Sequence, residues 1–297
     1  MPGTVLILGA TGRFGRNMAE AFWNRGWTVR LFDRKRDDLA IAAQGADVIV
    51  NGWNPPYHRW QAELPGQIDR LIDVTRQTGA TLLQPGNVYV YGAKAPARLA
   101  PDTAHLADNP LGRLRVALEA RLRDAGIPVI LLRAGDFIDT TASGNWFDKI
   151  MAAKLPNGSF VYPGPLDRDH AWAFLPDLAR AGVALCERRA HLPRFAEVTF
   201  PGYTLTGAQL GALVAQALGR PVAIKQMSWW PIQLARPVLK IAGGLLEMRY
   251  LWSKPHHLDG AAFDEMLPEF HPTEPVEALR QALSVSDATA EPQPVMG

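Results

Sequence analysis

The stretch GATGRFG, at residues 9–15, follows the apolar run Val5–Leu8 and precedes apolar residues at helical spacing. Its first glycine permits a tight turn, its second lets the backbone approach a pyrophosphate, and its third lets helix and strand pack closely. The helix N-terminus adds free N–H groups and the positive end of the helix dipole. The stretch therefore predicts a dinucleotide-binding loop, the alternative being a glycine-rich turn without a ligand. The loop residues predicted to bind the dinucleotide are Gly9, Thr11, Gly12, Arg13, Phe14 and Gly15.

An acidic residue, Asp33, ends the second predicted strand, Val29–Phe32, roughly twenty residues after the glycine loop. A carboxylate at this position accepts hydrogen bonds from the adenosine ribose and repels a 2′-phosphate, which favours NAD. Arg34 follows directly, and an arginine there can receive the 2′-phosphate of NADP. We therefore expect NAD as the cofactor, with NADP as the rival, and we expect Asp33 and Arg34 to lie beside the adenosine.

Short apolar runs alternate with helical patterns through the first half of the chain. Further strands are predicted at Val48–Val50, Thr81–Gln84 and Val129–Leu132, with helices between them. Such alternation predicts an α/β fold, a Rossmann-like doubly wound parallel sheet with helices on both faces and a smaller C-terminal substrate lobe.

The regular alternation of strands and helices becomes looser after residue 140, and we place the first domain boundary there. We expect residues 1–140 to form the NAD(P)-binding domain, with residues 170–200 returning to it. Residues 141–169 and 201–283 are expected to form the substrate lobe, and residues 284–297 a flexible tail.

Two stretches of the second half predict local structure. The sequence from Thr206 to Gln209 is typical of a capping box at the start of a helix. The aromatic-rich stretch at residues 228–252 is expected to form helices of the substrate lobe or, alternatively, a partner or dimer surface.

Composition narrows the function classes. The chain has 297 residues, a formal net charge of +2 and one cysteine, Cys186. The small charge gives no reason to expect nucleic acid as a partner, and a single cysteine excludes an intramolecular disulfide. We find no signal peptide, no membrane-spanning stretch and no cluster with metal-ligand spacing, so we expect a cytoplasmic protein without a metal site. A homodimer is possible.

Four motifs together resemble the extended short-chain dehydrogenase/reductase superfamily, in its NAD-dependent epimerase/dehydratase branch. They are GATGRFG at residues 9–15, NVYVYG at 87–92, LLRAGDF at 131–137 and AWAFLPDLARA at 171–181. The resemblance covers about residues 1–200 and implies a bound NAD(P) and a Ser/Thr, Tyr and Lys active-site set.

That active-site set is replaced in this chain. The resemblance puts Asn87 at the serine position, Leu111 at the tyrosine position and Arg115 at the lysine position. Leucine exchanges no proton, although Leu111 also begins an apolar helical stripe. Arginine stays protonated, so that Arg115 can bind a cofactor ribose or a phosphate but cannot relay protons.

Other residues are candidates for the missing chemistry. Tyr89, with Asn87 beside it, is our preferred substitute acid; if residues 87–91 are extended, Asn87, Tyr89 and Tyr91 share one side. The alternative is that Tyr89 only packs or lines a pocket. Tyr91 is expected to be structural.

The ends of two further strands supply the remaining candidates. We expect Asn51 and Gly52 near the cofactor, and Trp53, with Tyr57 and Trp60, in a pocket wall.

Asp136 and His170 are the other candidate substrate contacts, the alternatives being a loop cap for Asp136 and a structural histidine for His170.

The predicted function is an atypical NAD(P)-dependent oxidoreductase or epimerase/dehydratase that acts on a small organic or sugar-like substrate without the usual Tyr-Lys pair. The alternative is a non-catalytic, NmrA-like dinucleotide sensor or regulator, because the Ser-Tyr-Lys set is lost while the glycine loop is intact.

Overall fold

The computed structural model describes residues 2–288, and the five strands predicted above begin and end within two residues of their predicted positions. The strands are β1 (Thr4–Leu8), β2 (Thr28–Phe32), β3 (Val48–Asn51), β4 (Thr81–Gly86), β5 (Arg98–Leu99), β6 (Val129–Arg133), β7 (Asp136–Ile138), β8 (Ser159–Tyr162), β9 (His170–Phe174), β10 (Phe195–Thr199), β11 (Tyr203–Leu205), β12 (Ala223–Gln226) and β13 (His257–Leu258).

The α-helices are α1 (Arg13–Asn24), α2 (Leu39–Ala42), α3 (Trp60–Thr78), α4 (Pro110–Asp124), α5 (Leu175–Glu187), α6 (Gly207–Leu218), α7 (Trp230–Ala235), α8 (Ala242–Glu247), α9 (Ala261–Met266) and α10 (Pro275–Ala288). Within the described residues, no helix is both long enough and apolar enough to cross a membrane.

A six-stranded parallel sheet occupies the centre of the fold, in the order β10-β6-β4-β3-β1-β2. β1 pairs with β2 on one side and with β3 on the other. After β2 the chain crosses back over β1 to form β3, so the strand order reverses at β1. In open α/β sheets, ligands bind at the carboxyl ends of the strands where the order reverses. The predicted doubly wound sheet is confirmed, and its crevice lies at the ends of β1 and β3.

The central strands form continuous apolar runs because helices cover both faces of the sheet. Along β1 the side chains alternate: Leu6 and Leu8 face a core shared with α3 and α4. Val5 and Ile7 face a second core shared with α1 and α5. This alternation follows from the two-residue repeat of a strand, and it leaves only the loops at the strand ends for a ligand.

A smaller layer of sheets extends the fold beyond β6. β7 pairs with β9, and β9 with β11; β8 pairs with β12. A third apolar core lies here, and it includes Phe160, Trp172 and residues of α6 and α10. Thr206 caps α6 with Gln209 in the predicted capping box.

The end of the chain and the aromatic stretch differ in part from the expectations. The helix α10 runs to Ala288 and so includes residues 284–288 of the predicted tail; the rest of that tail, residues 289–297, lies outside the described residues. The aromatic stretch divides: Trp229 and Trp252 are buried in the core, whereas Trp230 and Val238 are exposed.

Candidate functional site

The glycine loop has the backbone geometry that its sequence predicts. Gly9 adopts a left-handed φ of 67°, and the Gly12 N–H donates to the Gly9 carbonyl oxygen at 2.9 Å. A Cβ on Gly15 would clash with that same carbonyl oxygen. Strand and helix can therefore approach so closely here only because residue 15 is a glycine. Gly12 is the N-cap of α1, and no side chain caps the helix within the described residues. The N–H groups of the first turn therefore point to a place where an anion fits.

Members of the loop differ in what they offer to a ligand. Gly12, Arg13 and Phe14 line a cavity, whereas Gly9 and Gly15 allow the close approach of backbones. Thr11 is exposed at the tip of the loop. The contacts of these residues with a cofactor stay predictions.

The two residues expected at the adenosine lie at the end of β2. Asp33 and Arg34 are both exposed, and β2 pairs with β1, so they stand at the same sheet edge as the glycine loop. The Lys35 N–H donates to Asp33 Oδ1 at 3.0 Å, and Arg36 Nε lies 3.6 Å from Asp33 Oδ2. The Asp33 carboxylate is thus oriented by its own turn and remains open to solvent.

A cavity of about 300 Å³ continues from the glycine loop across the ends of β3, β4 and β6. Its wall comes from the glycine loop, the loop after β3, the turn after β4, one arginine of α4, the β6–β7 connection and the segment before residue 147. The lining residues are Gly12, Arg13, Phe14, Gly52, Trp53, Asn54, Tyr57, Trp60, Gln84, Pro85, Gly86, Asn87, Val88, Tyr89, Arg115, Ala134, Gly135, Asp136, Phe137, Ser143, Asn145 and Trp146.

Two phenols form a hydrogen-bonded pair in this wall. The hydroxyl oxygens of Tyr57 and Tyr89 lie 2.6 Å apart, and Trp60 stacks on the Tyr89 ring. Burial raises the pKa of Tyr57 to about 12 and raises the pKa of Tyr89 well above its usual value. Both phenols therefore stay protonated at neutral pH. One hydroxyl donates to the other, and the second hydroxyl keeps its hydrogen for a ligand.

The backbone around Tyr89 differs from the expectation. Residues 88–91 form a 3₁₀ turn rather than an extended segment, because Asn87 Oδ1 accepts the Tyr89 N–H at 3.1 Å and caps the turn. Asn87, Tyr89 and Tyr91 therefore do not share one side. Tyr89 lines the cavity, whereas Tyr91 is buried and donates to the Ala100 carbonyl oxygen at 3.1 Å, which fits its expected structural role.

Leu111 and Arg115 lie on α4, where the resemblance expects a tyrosine and a lysine. Leu111 is buried in the core with Leu118. Arg115 lines the cavity, donates from Nη2 to the Pro85 carbonyl oxygen at 2.9 Å and lies over the Trp60 ring. Its Nε is buried without a partner among the described residues, and burial lowers the pKa of Arg115.

The loop after β3 lines the cavity only in part. Gly52 and Trp53 are in the wall, and the Trp53 ring contacts Phe32 edge-on. Asn51 is outside the lining: it donates to Gln84 Oε1 at 2.8 Å and accepts the Trp53 N–H at 3.1 Å. Its expected contact with the cofactor is therefore replaced by a role in orienting Gln84 and Trp53.

Of the two remaining substrate candidates, Asp136 lines the cavity and His170 does not. His170 is 1% exposed and lies behind Asp136, with its Nε2 2.7 Å from Asp136 Oδ2. The Trp252 ring stacks flat on the imidazole at a centroid distance of 4.4 Å. The prediction of His170 as a direct substrate contact is therefore wrong, because a distant aromatic residue and Asp136 cover its ring.

One buried cluster below the cavity has the residue types of a metal site. The liganding atoms of His105, Glu119 and Glu197 lie within 4.8 Å of one another. Both carboxylates, however, bind the buried guanidinium of Arg133, at 2.7 Å and 2.5 Å. Arg133 Nη1 also donates to the Asn87 carbonyl oxygen at 2.5 Å. The cluster is thus an ion-pair network that anchors the turn after β4.

Sequence reasoning missed several cavity residues. The sequence predicts Gln84 only as the last residue of a strand, although strand ends meet at the ligand edge. Ser143, Asn145 and Trp146 come from an irregular segment with no motif, so that only the tertiary fold brings them to the cavity.

No family model and no curated protein matches this sequence. MoeE5 in complex with UDP-glucose and NAD is 14% identical, with a TM-score of 0.76 over 97% of this chain and 100% of that chain. A UDP-N-acetylglucosamine 4-epimerase from Methanobrevibacter ruminantium M1, in complex with UDP-N-acetylmuramic acid, is also 14% identical, with a TM-score of 0.73 over 97% and 99% of the two chains.

A GalE-like L-threonine dehydrogenase from Cupriavidus necator, in its apo form, is 19% identical, with a TM-score of 0.73 over 96% of this chain and 99% of that chain. At such identities the similarity concerns the fold. The chain therefore has the Rossmann-like fold of these nucleotide-sugar epimerases and of the threonine dehydrogenase, which is the fold that the resemblance to the extended short-chain dehydrogenase/reductases implied.

Proposed function

We propose that this chain binds NAD and uses it to oxidise a carbinol or to reduce a carbonyl of a small, sugar-like substrate, as an atypical oxidoreductase or epimerase. The observation that carries the proposal is the continuity of the site: an intact glycine loop at the point of strand-order reversal opens into a cavity that contains a phenol pair, a cation and a carboxylate. Bound NAD would supply hydride transfer at that carbon.

The residues around the loop fit a dinucleotide. The uncapped first turn of α1 at Gly12, Arg13 and Phe14 would hold the pyrophosphate, and Gly12 has no side chain to keep the phosphates away. Asp33 would accept hydrogen bonds from the adenosine ribose, with Arg34 beside it.

Two residues on the other side of the sheet's crevice fit the nicotinamide half. Gly52 would let that half pass over the end of β3, and Arg115 would donate to its ribose. MoeE5, which shares the fold, is seen with NAD bound.

Tyr89 fits the role of a hydrogen-bond donor better than that of a base. Because burial raises its pKa well above the usual value, losing a proton to form a phenolate is unfavourable in this wall. The pair of Tyr57 and Tyr89 would instead donate to the substrate oxygen and stabilise the negative charge that develops there. Asn87 would donate from its amide, and Trp53 and Asp136 would contact the rest of the substrate.

A second candidate function is a non-catalytic, NmrA-like dinucleotide sensor. The observation that favours it is the burial of Leu111 in the core, which leaves no proton donor at the position where the resemblance expects one. A sensor and an enzyme would bind the same cofactor and differ in turnover.

The deciding experiment has a binding stage and a turnover stage. We expect NAD⁺ or NADH to raise the melting temperature of the full chain in a thermal-shift titration that also includes NADP⁺ and NADPH. Turnover is then followed as NADH absorbance with UDP-glucose, UDP-N-acetylglucosamine and L-threonine, and as conversion of each UDP-sugar to its epimer by chromatography, because epimerisation leaves no net NADH. No stabilisation by any dinucleotide contradicts both functions; binding without turnover, together with unchanged binding in Tyr89→Phe, favours the sensor.

The choice between NAD and NADP has its own test. We expect Asp33→Ala to weaken NADH binding about tenfold, because the carboxylate no longer accepts from the ribose hydroxyls. Lys35→Ala, which removes an exposed side chain of the same turn and keeps the backbone N–H that donates to Asp33, is the matched control and should leave NADH binding within about twofold. A preference for NADPH in the unaltered protein would contradict the choice of NAD.

The broader expectations are proposals of the same kind. We propose a small-molecule ligand rather than nucleic acid or membrane, a cytoplasmic location and a homodimer. Sedimentation velocity at two protein concentrations tests the dimer directly, and a single monomeric species at both would contradict it.

A further inference from the structure

The short helix α8 lies against the loop that carries Tyr57. A Cβ on Gly244 would come within 2.6 Å of Tyr57 Cβ and 2.9 Å of Tyr57 Cγ. The position of a Cβ atom is fixed by its own backbone, so no change of the Tyr57 rotamer can relieve such a contact. Only a residue without a side chain at position 244 therefore leaves Tyr57 in its place.

The last residue of α8 closes the start of α4. Glu247 Oε1 accepts the Leu111 N–H at 2.6 Å and the Asn109 Nδ2 amide at 2.7 Å. The first turn of α4 has no acidic residue of its own, and the side chain of its N-cap, Asn109, does not cap it. The carboxylate of α8 therefore supplies the acceptor and the negative charge that a helix N-terminus favours.

The start of α4 in turn lies against the turn that carries Tyr89. A Cβ on Gly112, in the first turn of α4, would lie 2.9 Å from the Tyr89 carbonyl oxygen. The two backbones are thus in contact, and a shift of this end of α4 displaces the 3₁₀ turn of residues 88–91. One short helix therefore contacts both phenols, Tyr57 through Gly244 and Tyr89 through Glu247 and α4.

The hydrogen bond between the phenols depends on the relative position of two loops. Tyr57 follows β3 and Tyr89 follows β4, and their hydroxyl oxygens lie 2.6 Å apart. A displacement of either hydroxyl by about 1 Å would lengthen this distance beyond a hydrogen bond. The negative charge of Glu247 also adds, after burial and the charge of Asp136, to the raised pKa of Tyr57. The surroundings of α8 thus favour the protonated phenol.

We propose that α8 positions the hydrogen-bond donor of this cavity. Gly244 and Glu247 are positioning residues that keep Tyr57 and Tyr89 in contact, so that the pair presents one hydroxyl hydrogen to the substrate oxygen. The proposal rests on the proposed function, in which the pair stabilises the negative charge that develops on that oxygen. Neither Gly244 nor Glu247 lines the cavity, so both act through the phenols.

The chain offers a matched pair of glycines for the test. At Gly243, next to Gly244 in the same helix, an added Cβ would meet no described atom within 4 Å, and neither glycine has a positive φ. Both alanine variants therefore change the helix propensity of α8 alike, and only Gly244→Ala presses on Tyr57. The comparison separates the contact with Tyr57 from a general effect on α8.

The first measurement needs no substrate. The six tyrosines of the full chain are labelled with ¹³C at Cζ, whose NMR signal responds to the hydrogen bond of the hydroxyl, and Tyr57→Phe and Tyr89→Phe assign the pair. We expect Gly244→Ala to shift the Tyr57 and Tyr89 signals, whereas Gly243→Ala should leave both in place. An unchanged Tyr57 signal in Gly244→Ala overturns the proposal.

The Glu247 variants test the second contact in the same spectra. Glu247→Ala should shift the Tyr89 signal, and Glu247→Gln, which keeps an oxygen acceptor for the start of α4, should restore it. An unchanged Tyr89 signal in Glu247→Ala overturns the proposal. If Gly244→Ala does not fold, these two variants decide the test alone.

The second measurement is turnover of whichever of UDP-glucose, UDP-N-acetylglucosamine and L-threonine the unaltered protein converts. We expect Gly244→Ala to lower kcat about a hundredfold, with KM and NADH affinity within about threefold, because the residues proposed to bind the cofactor are unchanged. Gly243→Ala should stay within about twofold in each quantity. An unchanged kcat in Gly244→Ala, with or without a higher KM, overturns the proposal. The expected NMR shifts in a chain that converts none of these substrates would instead contradict the proposed function and leave the positioning of the phenols intact.

Discussion

Arg115 is a buried cation that forms no salt bridge with any carboxylate of residues 2–288. The nearest buried acid on its helix, Glu119, binds the guanidinium of Arg133, and Arg115 retains one carbonyl acceptor and, among the described residues, an unpartnered Nε. A charge in this condition destabilises the folded chain until a ligand pairs with it. Such a residue is retained at a binding site in spite of its effect on stability.

We therefore predict opposite effects of Arg115→Met on stability and on binding. The free energy of unfolding in urea should rise by about 1 kcal/mol, because an apolar side chain of similar length replaces a desolvated charge. NADH affinity should fall at least tenfold in fluorescence titration.

Arg113→Met, an exposed arginine of the same helix, is the control and should change neither quantity appreciably. A loss of stability in Arg115→Met would contradict this account of the site.

At the scale of elements, the Arg133 network joins two strands of the sheet to a helix and fixes the turn that carries Asn87. Arg133 ends β6, Glu119 lies on α4 and Glu197 lies on β10. Through the Asn87 carbonyl oxygen the same guanidinium holds the start of the 3₁₀ turn.

Removing this guanidinium should be costly. We predict that Arg133→Met lowers the free energy of unfolding by about 3–5 kcal/mol, because the buried carboxylate of Glu119 loses its partner and that of Glu197 keeps only the exposed Arg123. The exposed Arg123, which also contacts Glu197, provides the control: Arg123→Met should cost less than about 1 kcal/mol. Equal effects of the two variants in urea unfolding would show that the network does not act as a unit.

Two glycines of the first half of the chain should respond in opposite ways to alanine. Gly15→Ala places a methyl group on the Gly9 carbonyl oxygen, and we expect it to cost about 1–3 kcal/mol and to weaken NADH binding. At Gly66, in the interior of α3, an added Cβ would meet no described atom within 4 Å, so that Gly66→Ala should stabilise the chain by about 0.5–1 kcal/mol. Thermal unfolding of both variants measures the contrast.

Local chemistry explains which elements were predictable from the sequence. The glycine loop and the capping box at Thr206 depend on neighbours a few residues apart, and both are confirmed. The condition that residues 87–91 are extended is not met, because the Asn87 side chain caps a 3₁₀ turn, which the sequence pattern does not reveal. Trp252, which buries His170, is 82 residues away in the sequence, and Tyr57 and Tyr89 come from two separate loops. Neither contact therefore follows from sequence spacing.

At the scale of the whole molecule, the stability of the chain should depend on pH through His256. Its pKa falls to about 3 in the folded state because of burial, whereas an unfolded histidine titrates near 6.5. Between these values the unfolded chain binds one more proton, so this contribution to stability is complete above about pH 6.5 and is lost as the pH falls towards 3.

We predict the size of this effect from the slope of stability against pH. Between pH 5.5 and 4.5 the free energy of unfolding should fall by about 1.4 kcal/mol per pH unit more in the unaltered protein than in His256→Leu. His257→Gln, the adjacent histidine, should keep the slope of the unaltered protein. Parallel slopes for the unaltered protein and His256→Leu would contradict the burial of a neutral His256.

The contact between the two loops beside β1 has a consequence for how this sequence can diverge. A Cβ on Gly9, Gly15 or Gly52 would in each case meet backbone atoms, those of Gly52, Gly9 and Leu8 respectively. No shortening of a neighbouring side chain can relieve a clash with backbone, so a second mutation nearby cannot rescue the first. In a library that is randomised at these positions and their neighbours and selected for folded protein, we expect glycine at all three positions in every recovered clone. No substitution nearby should compensate for losing one of them, whereas position 66 should accept other residues.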